Sequence, residues 1–90
     1  MNQALVRALP AYTEKATGNQ VQALRIRFLF HSPRGRQVVP VENRYASLEV
    51  TEEWVTETGA TRGDFIVWEE GRDVRVMKAD EFEAAFRPAI

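Results

Sequence analysis

Residues 63–90 carry the pattern that most constrains how this chain can fold. A short run of β-branched and aromatic residues at 65–68 is followed by the turn sequence Glu70-Gly71-Arg72 and by a second such run at 73–77. Strand-forming residues on both sides of a tight, glycine-containing turn predict a β-hairpin. A helical pattern follows directly, so the last third of the chain alone indicates an α+β fold.

The helix that follows this hairpin is predicted from residue 80. The acidic pair at 80–81 would lie in its first turn, where carboxylates interact favourably with the helix dipole. Phe82, Ala85 and Phe86 then fall at i, i+3 and i+4, the spacing of one buried helix face. Pro88 should end the helix.

A second hairpin is predicted between residues 22 and 39. Residues 22–30 alternate in character, which predicts a strand with one buried and one exposed face. The alternation places Arg25 and Arg27 on the exposed face, and Leu24, Ile26, Phe28 and Phe30 on the buried one. The turn composition at 32–35 and the apolar residues at 37–39 predict the return strand, which should end near Pro40.

A short helix is predicted after a brief alternating segment at 47–50. Thr51 can act as its N-cap, and the two glutamates at 52–53 suit its first turn. Val50 and Val55 have the spacing of a hydrophobic staple around that cap. Gly59 is a suitable residue to end the helix in a left-handed conformation.

These elements predict one small α+β domain spanning residues 1–90. We expect an antiparallel sheet of four or five short strands, with the C-terminal helix and the short second helix packed on one face. Residues 1–20 show no clear pattern. An apolar content of 44% and a charged content of 28% are typical of a globular chain. The predicted core contains Leu24, Ile26, Phe28, Phe30, Val39, Val55, Val67, Val74, Val76, Phe82 and Phe86.

The residue inventory favours a non-enzymatic protein without cofactor or metal. The chain has no cysteine, which excludes disulfides and thiolate metal sites and favours a cytoplasmic location in the host cell. His31 is the only histidine, so no His-rich metal site can form. Acidic pairs lie at predicted helix starts or at a hairpin tip. Such positions favour acidic residues for structural reasons, so the pairs do not indicate catalytic acids. The longest apolar run is far too short to cross a membrane.

Four arginines of the first predicted hairpin form a candidate nucleic-acid site. Arg25 and Arg27 project from one face, and Arg34 and Arg36 flank the turn. Arginines near aromatic residues suit phosphate contacts and base stacking. Because the alternation puts the two phenylalanines in the core, the sequence predicts no exposed aromatic platform. The pI of about 5.8 is also low for a dedicated nucleic-acid-binding protein.

Charge is distributed unevenly between the two halves of the chain. Residues 1–45 hold seven of the twelve basic residues but two of the thirteen acidic ones, so the two halves have opposite net charge. Opposite charges can pair within the fold, or they can support self-association or an oppositely charged partner. Trp54 and Trp68 are candidate anchors for a protein interface, provided that their side chains are exposed.

Several segments together resemble small proteins of tailed phages and prophages. The resemblance extends from about residue 21 to the C-terminus. It is carried by Val21-Gln22-Ala23-Leu24-Arg25-Ile26, by Gly63-Asp64-Phe65-Ile66-Val67-Trp68-Glu69-Glu70-Gly71 and by Phe82-Glu83-Ala84-Ala85-Phe86. These motifs are strand, turn and helix signals. The resemblance therefore implies a phage or prophage origin but no reaction.

We therefore expect a small phage-encoded interaction protein that is not an enzyme. Its partner would be a host or phage protein, such as a host factor or a defence component, or further copies of itself. The alternative is a nucleic-acid-associated accessory protein that uses the arginine hairpin.

Overall fold

The computed structural model of the chain describes residues 9–33, 35–42 and 45–89. These residues form a small α+β domain with an antiparallel sheet and two helices, which confirms the predicted fold class. The elements in chain order are β1 (Ala11–Glu14), β2 (Gln20–Ser32), β3 (Gly35–Pro40), β4 (Leu48–Val50), α1 (Glu52–Thr58), β5 (Phe65–Trp68), β6 (Arg75–Met77), α2 (Ala79–Ala85) and β7 (Phe86–Pro88).

The long strand β2 organises the sheet. Gln22 is opposite Ala11 of β1 and also opposite Trp68 of β5, so these two strands lie on opposite sides of β2. Farther along, the second half of β2 pairs with β3, as the predicted hairpin requires. The described strands follow the order β4-β3-β2-β1-β7, and β5 joins β2 to β6. Both predicted hairpins are therefore confirmed.

Strand β5 is buried on both of its faces. Phe65 and Val67 point into one apolar cluster, whereas Ile66 and Trp68 point into another on the opposite face. Successive residues of a strand point to opposite sides, so a strand without an exposed residue requires cover on both sides. The continuous apolar run Phe-Ile-Val-Trp in the sequence is the signal for this arrangement.

The two helices cover opposite faces of the sheet, which corrects the prediction that both pack on one face. Helix α2 contributes Phe82 to the cluster around Phe65 and Val67. Helix α1 contributes Trp54 to the cluster around Ile66 and Trp68. The described residues also form seven strands instead of four or five. The two additional strands, β1 and β7, have only four and three residues, which is too short for a clear periodic pattern.

The ends of the helices follow local chemistry. The Thr51 hydroxyl accepts a hydrogen bond from the backbone N–H of Trp54 at 3.0 Å, which confirms the predicted N-cap. Gly59 ends α1 with a φ of 67°, a left-handed conformation that favours glycine. Helix α2 ends earlier than predicted, because Phe86 already begins β7. Pro88 lies on that edge strand, where its missing N–H is tolerated.

Of the eleven predicted core residues, five are buried, four are half-buried and two are exposed. Phe30 and Val74 are 52% and 40% exposed. The buried predicted residues are Leu24, Ile26, Val67, Phe82 and Phe86, and the half-buried ones are Phe28, Val39, Val55 and Val76. The core also contains residues outside the predicted list, namely Leu9, Val21, Ala23, Val38, Ala60, Phe65, Ile66 and Trp68. Most of these lie on strands covered on both sides.

Phe82→Ala should lower the free energy of unfolding by about 3–5 kcal/mol, the usual cost for a buried phenylalanine. The Phe82 ring is 1% exposed and lies 4.0 Å from the Phe65 ring, centroid to centroid. Phe30→Ala is the matched control and should cost less than about 1 kcal/mol, because Phe30 is exposed. Denaturant unfolding of both variants measures the difference, and equal destabilisation would contradict this placement of Phe82.

Candidate binding surface

A β-bulge in β2 changes which side chains reach the surface. Ile26 is opposite Pro40, but Phe28 is opposite Val39, so one extra residue of β2 lies between them. One inserted residue reverses the alternation of side chains beyond it. Leu29 therefore packs against the same cluster as Leu24 and Ile26.

The same reversal brings Phe28 and Phe30 to the face that carries Arg25, instead of the opposite face. The prediction that the two phenylalanines lie in the core, away from the arginines, is therefore wrong. The alternation of residues 24–27 stops at the apolar run Phe28-Leu29-Phe30, where either set of side chains could face the core, so local alternation does not decide the orientation of these three residues.

Phe28, Phe30, Arg27 and Arg62 form what we call the aromatic–arginine surface. The Phe28 and Phe30 rings are stacked, with centroids 5.4 Å apart and planes inclined by 25°. The guanidinium carbons of Arg27 and Arg62 lie 5.2 and 5.1 Å from the Phe28 centroid, within cation–π range. Phe28 is half-buried, whereas Phe30 is 52% exposed. The exposed Phe30 ring is thus stacked on a half-buried ring that lies beside two cations.

Arg62 is the residue of this surface that the sequence pattern did not indicate. It lies in the loop before β5, which hydrogen bonds hold against β2. The Gly63 N–H donates to the Ile26 carbonyl and the Ile26 N–H donates to the Asp64 carbonyl, both at 2.8 Å. No local motif identifies Arg62 as a site residue, because its neighbours Arg27 and Phe28 are distant in sequence.

A buried carboxylate fixes the conformation of this loop. Asp64 is 4% exposed, and its Oδ2 accepts from the backbone N–H and the hydroxyl of Thr61 at 2.9 and 3.0 Å. Lys78 Nζ also donates to this oxygen at 3.0 Å. Asp64 therefore has a structural role, since it closes the turn that carries Arg62.

Polar residues lie beside the aromatic pair on the neighbouring strands. Gln37 of β3 is directly opposite Phe30, and Glu49 of β4 is directly opposite Gln37. Directly opposite residues of antiparallel strands share one face of the sheet. The surface is therefore cationic on the Arg62 side and carries a carboxylate on the β4 side.

The four arginines predicted as a nucleic-acid site have different environments. Arg25 donates through Nε to the Gly63 carbonyl at 3.2 Å, and its Nη1 lies 3.9 Å from Glu83 Oε1. Arg27 belongs to the aromatic–arginine surface. The Arg36 side chain is only 18% exposed, and its Nη1 lies 3.7 Å from Glu52 Oε1. Arg34 lies outside the described residues.

Of the two tryptophans predicted as interface anchors, one is buried and the other is partly buried. Trp68 is 9% exposed, and Trp54 is half-buried against the same apolar cluster. Little of the Trp68 indole is therefore available to a partner. Exposure was the condition attached to their prediction, and Trp68 does not meet it.

The described residues contain no group of three histidine, cysteine or acidic side chains arranged to hold a metal ion. His31 is exposed, and its Nδ1 lies 3.5 Å from Glu52 Oε1. Neither α1 nor α2, the helices of the described part of the chain, has the length and apolar character needed to cross a bilayer.

No protein-family model matches the sequence, and no curated protein or solved structure shows a significant match to the chain.

Asp64→Ala should destabilise the protein by about 1–3 kcal/mol, because the hydrogen bonds that the buried carboxylate accepts from Thr61 and Lys78 are lost. It should also loosen the loop that carries Arg62. Asp73→Ala removes an exposed carboxylate and should leave the free energy of unfolding nearly unchanged. Thermal or denaturant unfolding compares the two variants. Equal stability of Asp64→Ala and the unmodified protein would show that Asp64 does not fix the loop.

Proposed function

We propose that this chain is a small phage- or prophage-encoded binding protein, not an enzyme, which binds nucleic acid through the aromatic–arginine surface. The cytoplasm of the host cell would be its place of action. The observation that carries this proposal is the exposure of Phe30, which is stacked on Phe28, the ring that Arg27 and Arg62 contact. The exposed ring is not isolated, because it belongs to a cluster of two stacked aromatic rings and two guanidinium groups.

The chemistry of the surface matches the two parts of a nucleotide. Guanidinium groups contact phosphates, and an aromatic ring stacks on a base. The main sequence argument against nucleic acid was the absence of an exposed aromatic platform, and the bulge supplies one. The low overall pI is a weaker objection, because the local charge around a site governs its contacts with a ligand.

Replacing both Arg27 and Arg62 by Ala should weaken nucleic-acid binding. It should also flatten the slope of log K against log salt by about one to two units, because each phosphate contact that is lost reduces the slope by close to one. Arg87→Ala removes a cation from β7, at the opposite edge of the sheet, and should leave the slope unchanged. Fluorescence anisotropy with labelled DNA and RNA at several salt concentrations measures these slopes.

An unmodified protein without salt-sensitive binding to single- or double-stranded DNA or RNA at low ionic strength would end the nucleic-acid proposal.

A protein partner, or a second copy of this chain, is the second candidate. The uneven charge distribution favours it. Part of the asymmetry is already paired within the fold, as the contacts of Arg25 with Glu83 and of Arg36 with Glu52 indicate. Other acidic residues of the second half of the chain are exposed, among them Glu70, Asp73, Asp80 and Glu81. These carboxylates can attract a basic surface on a partner or on another copy.

Self-association driven by these charges should increase at low salt, because complementary charges raise the encounter rate. Light scattering at several protein concentrations and two salt levels measures the mass. A constant monomer mass of 10.3 kDa at all concentrations would exclude self-association. Capture from a bacterial lysate with and without nuclease then separates a protein partner from nucleic acid, since only a protein partner survives nuclease treatment.

A further inference from the structure

We infer that the nucleic acid bound at the aromatic–arginine surface is single-stranded, with an unpaired base stacked on Phe30 and its phosphates on the Arg62 side. This inference rests on the proposed function. It adds the form of the ligand and the direction in which the nucleotide lies.

The stack of rings defines the place for the base. Phe28 is half-buried, has Phe30 stacked against it and lies within cation–π distance of Arg27 and Arg62. Phe30 is the more exposed of the two rings, so it offers the accessible aromatic surface on which another flat ring can stack. A base within a duplex already has neighbours on both of its faces, whereas an unpaired base does not. The geometry therefore selects single strands.

The distribution of charge across the sheet gives the nucleotide a direction. Arg62 comes from the loop before β5, on the side of β2 away from β3. On the other side, Gln37 lies opposite Phe30, and Glu49 lies beyond it on β4. A phosphate near Glu49 would be repelled, while one near Arg62 would be attracted. The phosphates therefore belong on the Arg62 side, and the base edge points towards Gln37.

Gln37 suits contact with the edge of a base. Its amide offers both donors and an acceptor, so it can hydrogen-bond to any of the four bases. Stacking on Phe30 is equally tolerant, because every base has an aromatic face. The site should therefore bind single strands with little sequence preference.

The experiment compares a labelled single strand of about ten nucleotides, within the usual range of site sizes, with a hairpin duplex of the same composition. The unmodified protein should bind the single strand more tightly. Phe30→Leu keeps an apolar side chain but removes the aromatic face, and it should weaken single-strand binding about 5- to 150-fold without changing the salt slope. Phe30→Tyr keeps the ring and should bind like the unmodified protein.

Two further variants test the direction of the nucleotide. Glu49→Gln removes the carboxylate without changing its shape, and it should tighten single-strand binding several-fold at low salt. Glu53→Gln removes one exposed charge from α1, a helix that covers the opposite face of the sheet, and it should have a smaller effect. Equal effects of the two substitutions would overturn the proposed direction.

The outcomes separate this inference from the proposed function. Equal or tighter binding of the duplex, or unchanged single-strand binding by Phe30→Leu, would overturn the stacking inference while nucleic-acid binding remained. No salt-sensitive binding of either ligand would overturn both. Thermal unfolding of the Phe30 variants checks that they are folded, which is expected because the side chain is exposed.

Discussion

The pairing of β2 with β5 is the contact on which the rest of the structure depends. It places two apolar strands side by side, and both faces of β5 are buried. The aromatic residues of α2 and β7 cover one face of β5, and α1 and its neighbours cover the other face. A domain of this size buries little apolar surface, so the stability of the fold depends on the apolar clusters on both faces of β5.

The same long strand also creates the candidate site. Before the bulge, β2 contributes residues to both apolar clusters. Beyond the bulge, it contributes Leu29 to one cluster and presents Phe28 and Phe30 on the other face. The second apolar cluster, built around Phe65 and Phe82, does not include these two rings. The change in register thus places two phenylalanines, which the sequence pattern assigns to the core, on the candidate binding surface.

The loop from Thr61 to Asp64 connects the stability of the fold to the geometry of the surface. Asp64 holds the turn through Thr61 and Lys78, while the backbone of the loop continues the hydrogen bonding to Ile26. Arg62 therefore stands on a constrained segment beside Phe28. A cation positioned in this way loses less conformational entropy on binding a phosphate than one on a mobile loop.

Local sequence patterns determined the fold class, both hairpins and the ends of α1, because periodicity, turn residues and capping residues act over a few positions. The continuous apolar run of β5 even contained the signal for burial on both faces. Only the tertiary structure decided which faces the helices cover and which phenylalanines are exposed. The apolar run at 28–30 does not say which of its side chains face the core, and Arg62 meets Phe28 only through strand pairing. The candidate site therefore depends on strand register and on contacts between residues that are far apart in the sequence. Local sequence patterns do not encode either of these.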